Sequence, residues 1–227
     1  MSPPLLLGHR GARATRTVPE NTLESFDLAL AHGCDGFEFD VRLTADGRAV
    51  ICHDATIEGC DVAQAGATDL KHLPELESVL VRYAQHAFLD IEIKVPGLER
   101  SVLNALKLHP PQRGSVVSSF LPEVLRAVGT LDPVIPLGLI CEDSAELAAW
   151  KSLPVQWVIP HHTLLDRDLV RSLHGDEKRI LVWTVNRREA MRHFRDIDVD
   201  GIVSDDTKLL LETLGSGSQP SQPKASS

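Results

Sequence analysis

Cysteine is scarce in this 227-residue chain: there are four, and no two form the Cys-x-x-Cys or Cys/His spacing of a metal finger or redox motif. A disulfide framework is therefore not expected. Cys34, Cys52 and Cys141 lie in apolar runs, which predicts buried free thiols and a reducing compartment, the cytoplasm. Excess positive charge is also missing. A net charge of −9 argues against nucleic acid or an anionic membrane surface as the main partner. It leaves room for a small anionic substrate, because a bound cation inverts the local field. Long apolar runs are absent near the start, where "MSPPLLLGHRGARA" holds three leucines with no basic residue before them. That is too short for a signal peptide or membrane span, so no stable membrane insertion is expected. Aromatic residues make up 4% of the chain, against 43% hydrophobic and 24% charged residues, an ordinary globular balance. Nothing here specifies an oligomeric state.

What is present is a repeat of pattern. Short β-like runs, "LLLGH", "GFEFDV", "FLDIEIKV", "SVVSS", "PLGLIC", "WVIP", "ILVWTV" and "GIVS", alternate with amphipathic helix-like stretches. Eight such units predict an α/β fold, a single TIM (β/α)8 barrel over residues 1–214. A doubly wound open sheet is the alternative. In the first helix, "NTLESFDLALAHG", Asn21 and Glu24 are spaced as in a capping box, and Gly33 marks the end. Asp46-Gly47 signals a turn that folds residues 48–53 back as a β-hairpin extension after strand two. A short insertion then precedes strand three. The tail "GSGSQPSQPKASS", 215–227, has almost nothing to bury and is expected to be disordered.

"GFEFDV" is the informative strand. Residues two apart share a face, so Phe37, Phe39 and Val41 point outward to helices while Glu38 and Asp40 point into the barrel. "LDIEIK" repeats this with Asp90, Glu92 and Lys94. Three or four carboxylates thus converge from adjacent strands. At about 7 Å and an effective dielectric near 20, each pair repels by roughly 2–3 kcal/mol. A divalent cation offsets that, and an all-oxygen set suits Mg²⁺, Ca²⁺ or Mn²⁺ better than Zn²⁺. Salt bridges to Arg10, Arg42 or Lys94 are the competing account. His9 ends strand one and His53 ends the hairpin, both at the rim, and two histidines there suit general acid–base work. Asp54 is placed to orient His53. Arg10 and Lys94 suit a phosphodiester's oxygens. "PHHT", after strand six, also reaches the rim but receives no role.

"GHRGA", "PENTLESFDLAL", "DGFEFDVRLTADGRAVICHD", "LDIEIK", "VWTVN" and "DGIVSD" occur in order from Leu7 to Asp205. Together they resemble the glycerophosphodiester phosphodiesterase family. The resemblance implies one divalent metal and hydrolysis of a small-molecule glycerophosphodiester to glycerol 3-phosphate and an alcohol. It implies Glu38, Asp40 and Glu92 as metal ligands and His9 and His53 as the acid–base pair. Arg10 and Lys94 become phosphate contacts, Glu20 braces Arg10 or lines the site, and Asn21 caps the first helix. Phe120 and Trp183 are candidate pocket walls. The segment after Asp54 is shorter than is usual in the family and lacks its arginine, which implies a more open pocket. A lysophospholipase D or sphingomyelinase D-like lipid phosphodiesterase would use the same site but needs apolar rim loops. A non-catalytic phosphate-binding barrel would have lost a histidine or a carboxylate, and none is lost.

Overall fold

The computed structural model describes residues 3–215, so the expected tail of 215–227 lies, past Gly215, outside the described residues. Among the described residues eleven strands form: β1 Leu5–His9, β2 Gly36–Leu43, β3 Ala49–Ile51, β4 Thr56–Ile57, β5 Cys60–Asp61, β6 Phe88–Ile93, β7 Ser115–Ser119, β8 Leu137–Cys141, β9 Trp157–Pro160, β10 Arg179–Val182 and β11 Gly201–Ser204. Between them lie α1 Leu23–His32, α2 Leu76–Tyr83, α3 Glu99–Leu108, α4 Pro122–Leu131, α5 Ser144–Ala148, α6 Arg167–Gly175, α7 Arg188–Asp196 and α8 Thr207–Leu214. The sheet runs β1-β11-β10-β9-β8-β7-β6-β2 and closes where β1 pairs with β2. All eight barrel pairings are parallel. This is the closed barrel the alternation predicted, and the open-sheet alternative fails. β3 lies antiparallel on β2, and β4 and β5 form a small ribbon in the short segment that follows. Among the described residues, no helix is long and apolar enough to cross a membrane.

Outward faces of the strands make the main core with the helices. Phe37 stacks on Phe26 of α1 at a centroid distance of 4.2 Å. Tyr83 of α2 meets Phe37 edge-on and donates its hydroxyl to the Leu23 carbonyl. Inward faces fill a second, interior core of Leu7, Phe88, Val116, Ile140, Trp157, Ile159, Leu181 and Val203. Asp143 and Asp166 cap α5 and α6, each accepting first-turn amides.

Three local expectations change. Thr22, rather than Asn21, caps α1, its hydroxyl accepting from the Ser25 amide. Asn21 is one position too early, and its left-handed backbone (φ +57) turns its amide toward the barrel instead. The strand expected over 88–95 stops at Ile93, because β2 beyond Val41 pairs only with β3. The strand expected over 180–185 stops at Val182, where Trp183 turns its indole N–H onto the Ile159 carbonyl at 2.9 Å.

Candidate active site

Register alone assembles the acidic cluster. Asp40 lies opposite Glu92 and Glu38 opposite Asp90 across β2 and β6, while His9 on β1 lies opposite Glu38. Glu38, Asp40 and Glu92 are all buried and offer carboxylate oxygens within 4.8 Å of one another. Asp90 sits one layer deeper and accepts from the Ser118 hydroxyl at 2.5 Å. Arg10 and Lys94 answer part of this charge. Lys94 Nζ is 2.7 Å from Glu92 Oε1 and 3.3 Å from Asp40 Oδ1. Arg10 Nε is 3.2 Å from Asp40 Oδ2, and its Nη1 donates to Glu20 at 2.7 Å. Arg42, a third cation weighed for that role, instead donates to the His53 carbonyl.

Those pairs do not neutralise the cluster. Glu38 Oε1 is buried without a partner, and Asp40 Oδ1 has no hydrogen bond beyond its ion pair to Lys94; such unsatisfied oxygens are uncommon in folded proteins. Burial, with the Asp40 and Glu92 charges added, pushes the Glu38 carboxyl well up. Burial and the Asp40 charge hold Glu92 at about 8. Asp90 rises to about 7, chiefly through burial. Asp40 goes the other way despite its burial, because Lys94 and Arg10 favour its charged form. A hard cation fits this set: three oxygen donors converge, two with unmatched lone pairs.

Each histidine is held by one ring nitrogen. His9 donates from Nδ1 to Asp205 at 2.7 Å, leaving Nε2 3.8 Å from Glu38. His53 donates from Nδ1 to Asp54 at 2.8 Å. The hairpin carries His53 to the rim, its Cys52 amide bonded to the Asp40 carbonyl. Directly after β1, the left-handed Arg10 and Gly11 (φ +51 and +82) bend the chain so that the Arg10 amide donates to Glu38 at 2.9 Å. All of the expected site residues except Asp40 and Glu20 line one cavity of about 510 Å³. Asp40 lies just beneath it, and Glu20 touches it through Arg10. Phe120 and Trp183, edge to face at 5.8 Å, form its far wall with Ile140 and Ile159.

Three residues of the site were not assigned from the sequence. Asp205 holds His9 and receives Asn186 at 2.6 Å and Arg13 at 3.2 Å. These contacts keep it below the usual carboxylate range despite its burial. Asn21 donates to Asp40 at 2.7 Å. Glu142, after β8, stands on the cavity's apolar side. Asp205 and Asn186 close the motifs "DGIVSD" and "VWTVN", so the signal was present without a partner to give it meaning.

A closed (β/α)8 barrel with its polar groups gathered at the strands' C-terminal ends has the build of an enzyme of this fold. The model of the glycerophosphoryl diester phosphodiesterase family matches residues 9–107 and 98–209. A glycerophosphodiester phosphodiesterase of Caldanaerobacter subterraneus subsp. tengcongensis is 28% identical over 242 positions, covering 94% of this chain and 98% of its own. A phosphodiesterase of Oleispira antarctica, solved in complex with the product sn-glycerol-3-phosphate, superposes with a TM-score of 0.83 at 25% identity, covering 94% of this chain and 98% of its own. A glycerophosphodiester phosphodiesterase of Thermotoga maritima gives 0.81 at 25% identity, with 93% and 99% covered. The chain belongs to the glycerophosphoryl diester phosphodiesterase family and is an enzyme of phosphodiester hydrolysis.

Proposed function

We propose that the chain hydrolyses glycerophosphodiesters to glycerol 3-phosphate and an alcohol, with a divalent cation held by Glu38, Asp40 and Glu92 and with His9 and His53 as acid and base. One observation carries this reading: two carboxylate-held histidines flank a buried cluster that has orphaned oxygens, all at one cavity. When bound by Glu38, Asp40 and Glu92, the cation, Mg²⁺, Ca²⁺ or Mn²⁺, would supply charge neutralisation for the phosphate. Arg10 and Lys94 bind the remaining phosphate oxygens as charge-assisted donors. Glu20 holds the Arg10 guanidinium in place. Asp205 and Asp54 hold the Nδ1–H of each histidine and leave Nε2 for proton transfer, bare in the base and protonated in the acid. One histidine takes the proton of the nucleophile, a water or a glycerol hydroxyl, and the other protonates the leaving alkoxide. Phe120 and Trp183 wall the pocket.

The lipid-directed alternative loses support at the rim. Thr56, Glu58 and Asp61, exposed in the segment after Asp54, are polar. The buried free thiols Cys34, Cys52 and Cys141 support a reducing, cytoplasmic setting. Purified protein is incubated with glycerophosphocholine and glycerophosphoethanolamine, and glycerol 3-phosphate is assayed with EDTA, Mg²⁺ or Ca²⁺. Cation-dependent release is the expected result. Release that EDTA leaves untouched would remove the metal from the scheme, and no release with any cation would remove the reaction.

A further inference from the structure

We infer that the apolar side of the cavity is a leaving-group subsite selective for alcohols that carry an ammonium charge. This rests on the hydrolytic reading above and adds to it the class of head group. Glycerol's hydroxyls need hydrogen-bond partners, and those lie on the cluster side, with the carboxylates, Arg10 and Lys94. Apart from the exposed Glu142 carboxylate, the opposite wall offers none from its side chains. Phe120, Ile140, Ile159 and Val203 carry no polar atom, and the Trp183 indole N–H is already committed to the Ile159 carbonyl. The departing alcohol is therefore the part of the diester that meets this wall.

Two features then select its charge. Phe120 and Trp183 stand at 86° to one another, 5.8 Å apart, giving a corner with two π surfaces. Aromatic faces attract cations, and the attraction grows where water is excluded. Glu142, beside the corner, is the one charged side chain on that wall. Its backbone amide bonds Glu146, but among the described residues none pairs with its carboxylate. Lys94 also lies 5.7 Å from the Phe120 ring, yet Glu92 and Asp40 hold its ammonium toward the cluster. An anionic head group would face Glu142 unpaired, and a polyhydroxylated one would lose its water contacts against the wall.

The test compares kcat/KM, with Mg²⁺ present, for three diesters of glycerol 3-phosphate: those of choline, of its neutral isostere 3,3-dimethylbutanol, and of glycerol. The isostere keeps the shape of choline and removes the charge. Wild-type protein should favour choline over the isostere by at least about fivefold. Glu142→Gln should shrink that ratio and Trp183→Leu should shrink it further, each mainly through KM. Equal rates for choline and the isostere, or a ratio unmoved in Glu142→Gln, would overturn the subsite while hydrolysis of either keeps the underlying reading intact. Hydrolysis of none of the three would overturn both together.

Discussion

The barrel interior is divided into two unlike halves. From β1 through β2 and β6 to β7 it holds His9, Glu38, Asp40, Asp90, Glu92 and Ser118 beside the apolar Leu7, Phe88 and Val116, while from β8 to β11 it holds Ile140, Trp157, Ile159, Leu181 and Val203. The two halves share one sheet, and their carboxylates and apolar side chains alike are buried. Their energetics are opposed. The apolar half gains roughly 25 cal/mol for each Å² removed from water. The charged half desolvates four carboxylates, and three of them respond by holding protons to a higher pH. The lesson is that this barrel carries an unfavourable half supported by a favourable one, as expected where ligand binding rather than folding selects the residues.

The sharpest way to break the comparison is to remove a group that acts without supporting the fold. His9→Ala and His53→Ala should each lower kcat by about 10²–10⁴-fold while the thermal transition stays near that of the wild type. Near-normal turnover in either variant would dismiss that histidine from the chemistry. The opposite half should respond in the opposite way. Leu181→Ala opens a cavity in the fully buried interior core and should destabilise by about 2–5 kcal/mol, read from urea unfolding. Its folded fraction should keep the wild-type kcat, and a large loss there would mean that the two halves are not separable.

Asp205 tests the boundary between them. Asp205→Asn keeps the volume and removes one charge-assisted hydrogen bond, with a value of about 1.5–3 kcal/mol. The expected outcome is a fall of about 10–100-fold in kcat with little change in KM, partly restored in Asp205→Glu. A variant that is unstable but fully active per folded molecule would make Asp205 structural.

The smallest effect is a slope. Asp90 and Glu92 have folded-state pKa values raised to about 7 and about 8. Between their unfolded values and these, the native state binds more protons than the unfolded chain, so stability falls as pH rises. The lowered carboxyls Asp40 and Glu20 titrate below that window and do not oppose it. In EDTA, Tm should drop by about 5 °C or more between pH 5 and pH 8. Added Mg²⁺ or Ca²⁺ should flatten the drop, since a cation favours the charged carboxylates. A slope that ignores cations would leave the salt bridges to Arg10 and Lys94 as the whole account of the cluster.

Much of this was readable before any coordinates. The alternation of "GFEFDV" and "LDIEIK" fixes which side chains enter the barrel, because the period of a strand is two residues and a one-residue slip would bury the wrong face. Eight strand–helix units leave few closed solutions. Local chemistry was equally legible at His53 and Asp54, which are adjacent. Asn21 was misread because two capping patterns overlap by one residue there. Its true partner, Asp40, lies 19 positions away.

Separation in the chain marks what the sequence left undetermined. Asp205 is 196 residues from the His9 ring that it holds. Only closure of β1 against β11 brings them together, and no local pattern encodes that contact. The same is true of the corner between Phe120 and Trp183, which follow β7 and β10, and of Glu142 on the same cavity. Composition, periodicity and short motifs determined the barrel and its ring of carboxylates, since those follow from the direction in which each side chain leaves its own backbone. The partners of each histidine, the orphaned oxygens and the shape of the apolar wall were decided by tertiary structure, because each depends on distances between strands that meet only when the sheet closes.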